Sequence, residues 1–343
     1  MTDSLVLVTG GSGFIAGHCI VELLRQGFRV RTTVRDLARE AGVREVLGAA
    51  GLIRGDALEF VAADLTRDQG WADAVAGVDA VLHVASPVRP GKVDDEDEVI
   101  GPARDGALRV LRAARDAGVR RVVLTSAFHA VGFGHPHSQD RFTEADWSVV
   151  DGPGVDAYGR SKILSERAAW EFVESEGRGL ELVTLLPVAV MGPVMGAEIS
   201  GSNHLIQRLL TGAMPAVPRL SIPIVDVRDV AVAHVAAIGA ADAAGQRILI
   251  ASGEPAIALA TVGDILRSGL GDAAAKVPTR RLPDLVVRVG AIFNEELRSV
   301  AAELGLVKLV SIDRARRVLD FSPRTSEEAI VAAGRSMIAA GLV

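Results

Sequence analysis

Short apolar runs alternate, over the first 250 residues, with longer stretches in which apolar side chains recur at helical spacing. The short runs predict strands, at residues 4–9, 29–34, 59–63, 80–84, 121–125, 181–186 and 247–251. The longer stretches predict helices, at residues 13–26, 100–117, 157–176 and 225–241. Strands separated by helices of this length are typical of βαβ units, so we expect a parallel sheet.

The rest of the chain is less regular. Residues 187–223 are rich in Gly, Pro and Met without a clear period, and the last ninety residues have a mainly helical pattern. We therefore expect an α/β protein, with a Rossmann-type doubly wound parallel sheet and a smaller, mainly helical C-terminal substrate lobe. The expected dinucleotide-binding domain spans 1–187 and regains 223–255, which leaves 188–222 and 256–343 for the lobe.

Composition and charge narrow the class of function. Of the 343 residues, 49% are apolar, which is enough for a large core. The net charge of −6 gives no reason to expect a nucleic acid or an anionic membrane as partner. The single cysteine, Cys19, cannot form an internal disulfide, and we identify neither a signal peptide nor a spanning helix. We therefore expect a cytoplasmic protein.

The first predicted strand leads directly into a glycine-rich turn, Thr9-Gly10-Gly11-Ser12-Gly13. Glycines at 10 and 13 permit a tight turn and a close approach of the backbone to a pyrophosphate at the N-terminus of the next helix. An ordinary βα turn is the alternative, but the position at the first strand of a long βα series favours nucleotide binding. The expected cofactor contacts are Gly10, Ser12, Gly13, Phe14 and Ile15.

The end of the second strand indicates which dinucleotide binds. An acid there binds the 2′-hydroxyl of NAD, whereas an arginine pairs with the 2′-phosphate of NADP. The sequence has Arg35 followed by Asp36, with Arg39 and Arg44 further on. We therefore expect NADP(H), bound through Arg35, with NAD(H) as the alternative. The arginines could also simply solvate a helix.

Tyr158 and Lys162 are four residues apart, so on a helix their side chains share a face. A phenol is a poor acid–base catalyst at neutral pH, and a nearby ammonium that lowers its pKa improves it. A chance pairing is improbable because Tyr158 is the only tyrosine and Lys162 is one of four lysines. We expect Tyr158 to be the catalytic acid, while Lys162 also holds the nicotinamide ribose.

A third polar group follows the fifth strand, which ends at Thr125-Ser126. Because the carboxyl ends of parallel strands face the ligand crevice, Ser126 is expected to donate a hydrogen bond to a substrate carbonyl. Thr125 is the fallback. A serine at a strand end is also a common turn residue.

His129, His135 and His137 lie close together in the sequence and could indicate a metal site. No cysteine or clustered acid accompanies them at ligand spacing. We therefore expect no metal, and interpret this segment as a mobile substrate loop.

In this order, the residues resemble the extended short-chain dehydrogenase/reductase family, in its branch of dihydroflavonol reductases, cinnamoyl-CoA reductases and related aldehyde and ketone reductases. The resemblance extends from residue 5 to about residue 240. Its further signals are Thr33-Val34-Arg35-Asp36, Ala63-Asp64-Leu65, His83-Val84-Ala85-Ser86-Pro87, Pro187 with Gly192-Pro193, and Val225-Asp226-Val227-Arg228-Asp229-Val230-Ala231.

The resemblance implies a reaction in which hydride passes from NADPH to a carbonyl carbon while Tyr158 protonates the oxygen. It implies that Asp64 and Leu65 contact the adenine end of the cofactor, that Ala85 and Ser86 lie along the nicotinamide, and that Pro187 and Val188 lie near its carboxamide. Thr125 is a further expected cofactor contact. The implied partner is a small-molecule carbonyl substrate. Relatives occur as monomers and homodimers.

One departure from the family bears on the substrate. Flavonoid reductases of this branch carry an asparagine five residues after the catalytic serine, where this chain has Val131. We therefore expect an aldehyde or ketone more apolar than a flavonoid. Its expected contacts are Ser126, Phe128, Phe133, Met191 and Met195, although the apolar four could equally belong to the core.

Two other functions stay open. A nucleotide-sugar epimerase or dehydratase would share the glycine turn and the Tyr158–Lys162 pair, but it would retain its NAD through the cycle. A non-catalytic nucleotide-sensing regulator would share the fold, yet such proteins usually lack the tyrosine. Net consumption of NADPH separates a reductase from both.

Overall fold

The computed structural model describes residues 4–51, 55–87, 96–135 and 141–343. Strands in these ranges are β1 (Leu5–Val8), β2 (Arg29–Val34), β3 (Leu58–Ala62), β4 (Ala80–His83), β5 (Arg121–Thr125), β6 (Arg141–Phe142), β7 (Glu181–Pro187), β8 (Ala189–Met191), β9 (Ser221–Ile222), β10 (Ile224–Asp226), β11 (Arg247–Ile250), β12 (Ile257–Ala258) and β13 (Leu309–Val310). Seven of the strands in these ranges form one parallel sheet, in the order β11-β7-β5-β4-β1-β2-β3. The order reverses between β1 and β4, which is where a doubly wound sheet binds its ligand.

Helices connect these strands and cover the sheet. They are α1 (Phe14–Arg25), α2 (Glu40–Ala49), α3 (Trp71–Val75), α4 (Asp97–Asp116), α5 (Ala157–Glu176), α6 (Asn203–Leu210), α7 (Val227–Gly239), α8 (Leu259–Leu270), α9 (Asp284–Gly290), α10 (Glu295–Ala302), α11 (Asp313–Leu319) and α12 (Ser326–Ala339). The predicted fold class, a Rossmann-type α/β protein, is confirmed. A membrane crossing needs a longer or more apolar helix than any found in the described ranges.

The residue pattern located most of the nucleotide-binding elements. β2, β5 and α5 have the predicted bounds, and the other predicted elements differ at their ends by one to three residues. The helix expected from residue 225 begins two residues later, because Asp226 ends β10 and caps α7 by accepting from the amide of Arg228. The pattern does not predict α6, which has eight residues and lies in the irregular segment.

Apolar side chains cover both faces of the sheet. One cluster packs under α1 and α7 and includes Leu23, Val30 and Val230. A second packs under α4 and α5 and includes Leu111 and Phe172. A third lies between α6, α8 and α12, and its members include Ile206, Val262 and Ile330. The sheet is therefore fixed between two helical layers, and the lobe has a core of its own.

The end of the chain packs against both parts of the molecule. α12 contributes to the third cluster, whereas Ala315, Leu319 and Phe321 belong to the first. β13 pairs with β6, and α11 contacts α7 and β11. The assignment of all of 256–343 to the substrate lobe stays a prediction, but residues 310–321 pack with the nucleotide-binding part.

Candidate active site

The loop between β1 and α1 has the shape of a phosphate-binding turn. Gly10 has a φ of +76°, and a Cβ on it would lie 3.0 Å from Ala85 Cβ. A Cβ on Gly13 would lie 3.1 Å from the carbonyl oxygen of Gly10. Ser12 is exposed at the tip, and α1 begins at Phe14 with no side-chain cap and no acid in its first turn. The first amides of α1, from Phe14 and Ile15 onward, are therefore available to an anion, which fits a dinucleotide pyrophosphate.

Gly11 has the strictest requirement in this turn, although the sequence reasoning gave it no role. A Cβ there would lie 2.3 Å from Thr32 Oγ1, and that hydroxyl donates to the carbonyl oxygen of Val8. The amide of Gly11 donates to the carbonyl oxygen of Thr33 at 2.9 Å. A side chain would thus separate the turn from β2. Nothing in the local sequence indicates that Gly11 is required, because the side chain that would clash with a Cβ is Thr32 on the neighbouring strand β2.

The arginine and the acid that follow β2 have different environments. Asp36 Oδ1 accepts from the amide of Ala38 at 2.9 Å, so its carboxylate caps a short 3-10 turn. Arg35 is exposed and lies close enough to Asp64 to act on it. The amide of Thr66, with Arg35 as a weaker contributor, holds the pKa of Asp64 below its usual range. Arg35 and Asp64, which follow β2 and β3, therefore lie close together where the adenine ribose is predicted to bind.

Arg44 does not belong to this group. Its guanidinium donates to Glu40 Oε1 and to the carbonyl oxygens of Gly55 and Leu58, and it lies 4.9 Å from the ring centroid of Phe60. These contacts attach α2 to β3. Arg44 thus stabilises the fold, and its part in selecting NADP stays a prediction.

The carboxyl ends of β4 and β5 bring the predicted nicotinamide-side residues together. One small cavity there is lined by Ala85, Ser86, Thr125, Ser126 and Lys162, together with His83 and Glu166 among others. Pro187 and Val188 are buried at the end of β7. Leu65 packs against α4, where a Cβ on Gly106 would lie 3.0 Å from Leu65 Cβ.

Tyr158 lies in the first turn of α5. Asp156 caps this helix by accepting from the amide of Gly159 at 2.7 Å. Lys162 follows one turn later, and its Nζ lies 5.8 Å from the ring centroid of Tyr158. The two side chains share a face of the helix, as the spacing predicted.

Burial moves the pKa values of this pair apart. It raises the pKa of Tyr158 to about 12, and the Asp156 carboxylate adds to this shift. It lowers the pKa of Lys162 to about 8, against the opposing effect of Glu166. The expected lowering of the Tyr158 pKa is not found in this structure, because desolvation raises it. The phenol therefore keeps its proton at neutral pH and can act as a donor.

The hydroxyls of Thr125 and Ser126 are both bonded to side chains on other elements. His234 Nδ1 lies 2.7 Å from the carbonyl oxygen of Val230 and must donate to it, so its Nε2 accepts from Thr125 Oγ1 at 2.8 Å. Ser126 Oγ donates to Glu166 Oε2 at 2.7 Å. The Ser126 proton is therefore bonded to Glu166 in this structure, and its donation to a substrate carbonyl stays a prediction.

Sequence reasoning missed Glu166, which is 1% exposed. Its Oε1 accepts from Thr184 Oγ1 and from Arg247 Nε, each at 2.8 Å. A signal was available, since Glu166 follows Lys162 by the same four residues that join Lys162 to Tyr158. Its partner Arg247 lies on a strand 81 residues away and has no such signal.

The structure separates the apolar residues predicted to bind substrate. Phe128 and Met191 are 3% and 0% exposed and belong to the first and third clusters. Met195 packs on α1, since a Cβ on Gly17 would lie 3.1 Å from its sulfur. Val131 is 0% exposed, so the position that carries asparagine in flavonoid reductases lies in the core here.

Phe133 belongs to a stack of rings that reaches Tyr158. Its ring lies parallel to that of His129 with centroids 4.4 Å apart, and His129 meets Tyr158 edge-on at 5.1 Å. Lys308 Nζ lies 3.7 Å from the centroid of Phe133 and 2.5 Å from Glu303 Oε2. Burial lowers the pKa of His129 to about 4, so the imidazole is neutral at pH 7. We call this set, from Lys308 to Tyr158, the ring stack.

The histidines form no metal centre among the residues whose positions are described. No group of three or more His, Cys, Asp or Glu side chains there is placed to hold an ion. His135 Nε2 hydrogen-bonds the carbonyl oxygen of Val131 at 2.7 Å. His137 lies outside the described residues.

The doubly wound sheet, the glycine turn and the Tyr158–Lys162 pair are typical of enzymes that bind NAD(P), and together with the relatives described below they identify an NAD(P)-dependent oxidoreductase. The sequence model of the NAD dependent epimerase/dehydratase family matches residues 6–251, and the chain belongs to this family. The resemblance to the extended short-chain dehydrogenases/reductases is thereby confirmed.

Relatives lie in the predicted branch. Cinnamoyl-CoA reductase 1 of Arabidopsis thaliana is 36% identical over 252 residues, which are 72% of this chain and 70% of the relative. The NADPH complex of Gre2 from Candida albicans has a TM-score of 0.79 at 26% identity, covering 98% of this chain and 99% of that chain. Yeast methylglyoxal/isovaleraldehyde reductase Gre2, also complexed with NADPH, shares the fold with a TM-score of 0.81 at 24% identity, covering 99% and 100%.

Gly10→Ala is expected to lower the free energy of unfolding by about 1–3 kcal/mol, because a side chain is strained at positive φ and meets Ala85. The displaced turn should also bind NADPH more weakly. Urea denaturation measures the first effect and fluorescence titration the second.

Gly42→Ala is the matched control, because no atom lies within 4 Å of a Cβ at this position in α2. Alanine favours a helix, so stability should be equal or slightly higher and NADPH binding unchanged. Equal losses in the two variants would show that Gly10 has no special role.

Proposed function

We propose that the protein is an NADPH-dependent reductase of an aldehyde or a ketone, with Tyr158 as its general acid. The observation that carries the proposal is that Tyr158 and Lys162 lie one turn apart on the same face of α5, with Nζ of Lys162 5.8 Å from the ring centroid of Tyr158. A phenol beside an ammonium can pass its proton to a carbonyl oxygen during reduction, because the ammonium stabilises the phenolate that forms. The reductases among the relatives support this direction.

The residues of the site have separate tasks in this proposal. NADPH, when bound, supplies the hydride. The glycine turn and the N-terminus of α1 would hold the pyrophosphate, and Lys162 would hold the nicotinamide ribose. Tyr158 transfers its hydroxyl proton to the substrate oxygen, and the Lys162 ammonium stabilises the phenolate that this transfer leaves.

We propose NADP(H) over NAD(H) because of the two side chains after β2. The Asp36 carboxylate already caps a turn, whereas Arg35 is exposed beside Asp64. A guanidinium binds phosphate through charged hydrogen bonds, so Arg35 suits a 2′-phosphate. The NADPH complexes of both Gre2 proteins agree with this preference.

The proposed substrate is an apolar carbonyl compound, supported by the rings of Phe133 and His129 beside Tyr158. A screen of aldehydes, ketones and sugar nucleotides that follows NADPH consumption tests the proposal. Oxidation of NADPH with an aldehyde or ketone is the expected result. Conversion of a sugar nucleotide with no net loss of NADPH would identify an epimerase or dehydratase instead.

Tyr158→Phe is expected to lower kcat by roughly 1,000-fold, because it removes the proton donor and little else. The dissociation constant for NADPH should stay the same. Steady-state assays with the best carbonyl substrate, together with fluorescence titration of NADPH, measure both quantities. Undiminished turnover would remove Tyr158 from the reaction.

The rate of carbonyl reduction is expected to fall as the pH rises through about 8, where Lys162 loses its charge. Tyr158 does not limit this range, since its pKa is about 12. Of the other groups near Lys162, burial keeps His83 neutral with a pKa of about 3. Glu166, one turn further along α5, opposes the lowering of the Lys162 pKa. A pH–rate profile of kcat measures the decline.

Lys162→Arg provides the comparison, because a guanidinium stays charged at alkaline pH. This variant should be slower but should lose the decline near pH 8. An identical decline in both proteins would assign it to another group.

Arg35→Ala is expected to lower the NADPH/NADH ratio of kcat/KM by about tenfold or more, because a charged hydrogen bond to the 2′-phosphate is lost. Arg29→Ala is a matched control, since Arg29 is exposed at the opposite end of the same strand. An unchanged ratio in Arg35→Ala would refute the assignment of Arg35.

A further inference from the structure

His129 lies against the part of α5 that carries the proposed acid. Its ring meets that of Tyr158 edge-on, with the two centroids 5.1 Å apart. A Cβ on Gly159, the residue after Tyr158, would lie 3.7 Å from His129 Cδ2. The imidazole therefore packs directly on the helical turn that carries Tyr158.

The imidazole is held in place through one of its faces. Phe133 stacks on it in parallel with centroids 4.4 Å apart, and Lys308 Nζ lies 3.7 Å from the centroid of Phe133. An imidazole carries its N–H and its bare nitrogen in the plane of the ring, so stacking does not engage them. The residues on either side, Phe128 and Ala130, are buried, whereas His129 is partly exposed. The ring stack thus fixes the ring and leaves its polar edge available.

The polar atoms of both rings lack protein partners. Neither nitrogen of His129 has a hydrogen-bond partner among the residues that the structure describes, and the same is true of Tyr158 Oη. None of these atoms belongs to the fully enclosed polar atoms without a partner in those ranges, so each is in contact with open space. A half-buried polar group with no protein partner is accounted for when a ligand or a water bonds to it. Two touching rings therefore offer unpartnered polar atoms at the proposed reaction centre.

A carbonyl oxygen bound at Tyr158 has room for a second donor. The oxygen has two lone pairs, and the hydroxyl of Tyr158 uses one of them. Negative charge develops on this oxygen as the carbonyl is reduced, and a second N–H stabilises that charge without losing its own proton. The imidazole suits this task because burial lowers the pKa of His129 to about 4, which keeps it neutral at pH 7 with one N–H.

We propose that His129 is a further catalytic residue, whose imidazole N–H donates a hydrogen bond to the carbonyl oxygen that Tyr158 protonates. Tyr158 transfers its proton to this oxygen, whereas His129 keeps its own throughout. The inference rests on the proposed function, because it assigns a second contact in the same reaction. A purely structural His129 is the alternative, and it predicts that any ring able to stack on Phe133 preserves activity.

Two substitutions separate the N–H of His129 from its ring. His129→Phe keeps a ring for the stack but has no N–H, so kcat for carbonyl reduction should fall roughly 100-fold. His129→Gln loses the ring but keeps an amide N–H of similar reach, so its kcat should stay within about tenfold of wild type. A structural role reverses this order, because a phenyl ring stacks and an amide does not. Steady-state assays measure kcat, and fluorescence titration should show unchanged NADPH binding in both variants.

His204→Phe is the matched control, since it makes the same chemical change at an exposed position of α6. Its kcat should equal that of wild type. Thermal unfolding shows which variants are folded. If His129→Phe does not fold, His129→Ala replaces it, because the smaller side chain cannot overfill the space. Free imidazole added to the assay should then raise the kcat of His129→Ala severalfold, since it restores the missing N–H.

Each outcome separates the two proposals. A wild-type protein that reduces no carbonyl compound would refute the proposed function itself. An active wild type in which His129→Phe keeps full kcat, or loses no more than His129→Gln, would overturn only the role of His129. A folded His129→Ala variant that imidazole does not rescue would do the same.

Discussion

The arrangement of the site depends on one buried ion pair, between Glu166 on α5 and Arg247 on β11. Two charges removed from water are stable only if their remaining polar atoms also have partners, and both side chains meet this condition through hydroxyl, indole and carbonyl groups. A shift of α5 along its axis would separate the two side chains and leave a buried charge without a partner. The ion pair therefore holds the helix in one position. Lys162 and Tyr158 lie one and two turns earlier on α5 and take their positions from it.

The sequence predicted the features that depend on local order. Apolar spacing located β2, β5 and α5, since a half-buried helix or a buried strand must repeat its apolar positions. The scarcity of tyrosine and lysine identified the Tyr158–Lys162 pair. The features that the sequence did not reveal arise between distant segments. Thr32 closes the space beside Gly11, and Arg247 completes the environment of Glu166 from 81 residues away.

The sequence also could not predict which partner receives the hydroxyl proton of Ser126. Ser126 was expected to be a donor because of its residue type and its place at a strand end. Its proton is committed by a carboxylate that belongs to another element. Burial likewise reversed the expected shift in the Tyr158 pKa, since desolvation depends on every neighbour and the Lys162 spacing describes only one. Fold and motif therefore identify the family, while the protonation of its site is a property of the packed structure.

The ring stack places a restriction on recombination between relatives. It runs from Lys308, the residue before β13, through Phe133 and His129, to Tyr158. Lys308 is 8% exposed, so a graft that brings another residue to this position leaves Phe133 and Glu303 facing a mismatched neighbour. A chimera that exchanges the C-terminal part must therefore carry the loop with His129 and Phe133 along with it. Evolution of a new substrate range in this chain must likewise keep Lys308 compatible with the loop that carries His129 and Phe133.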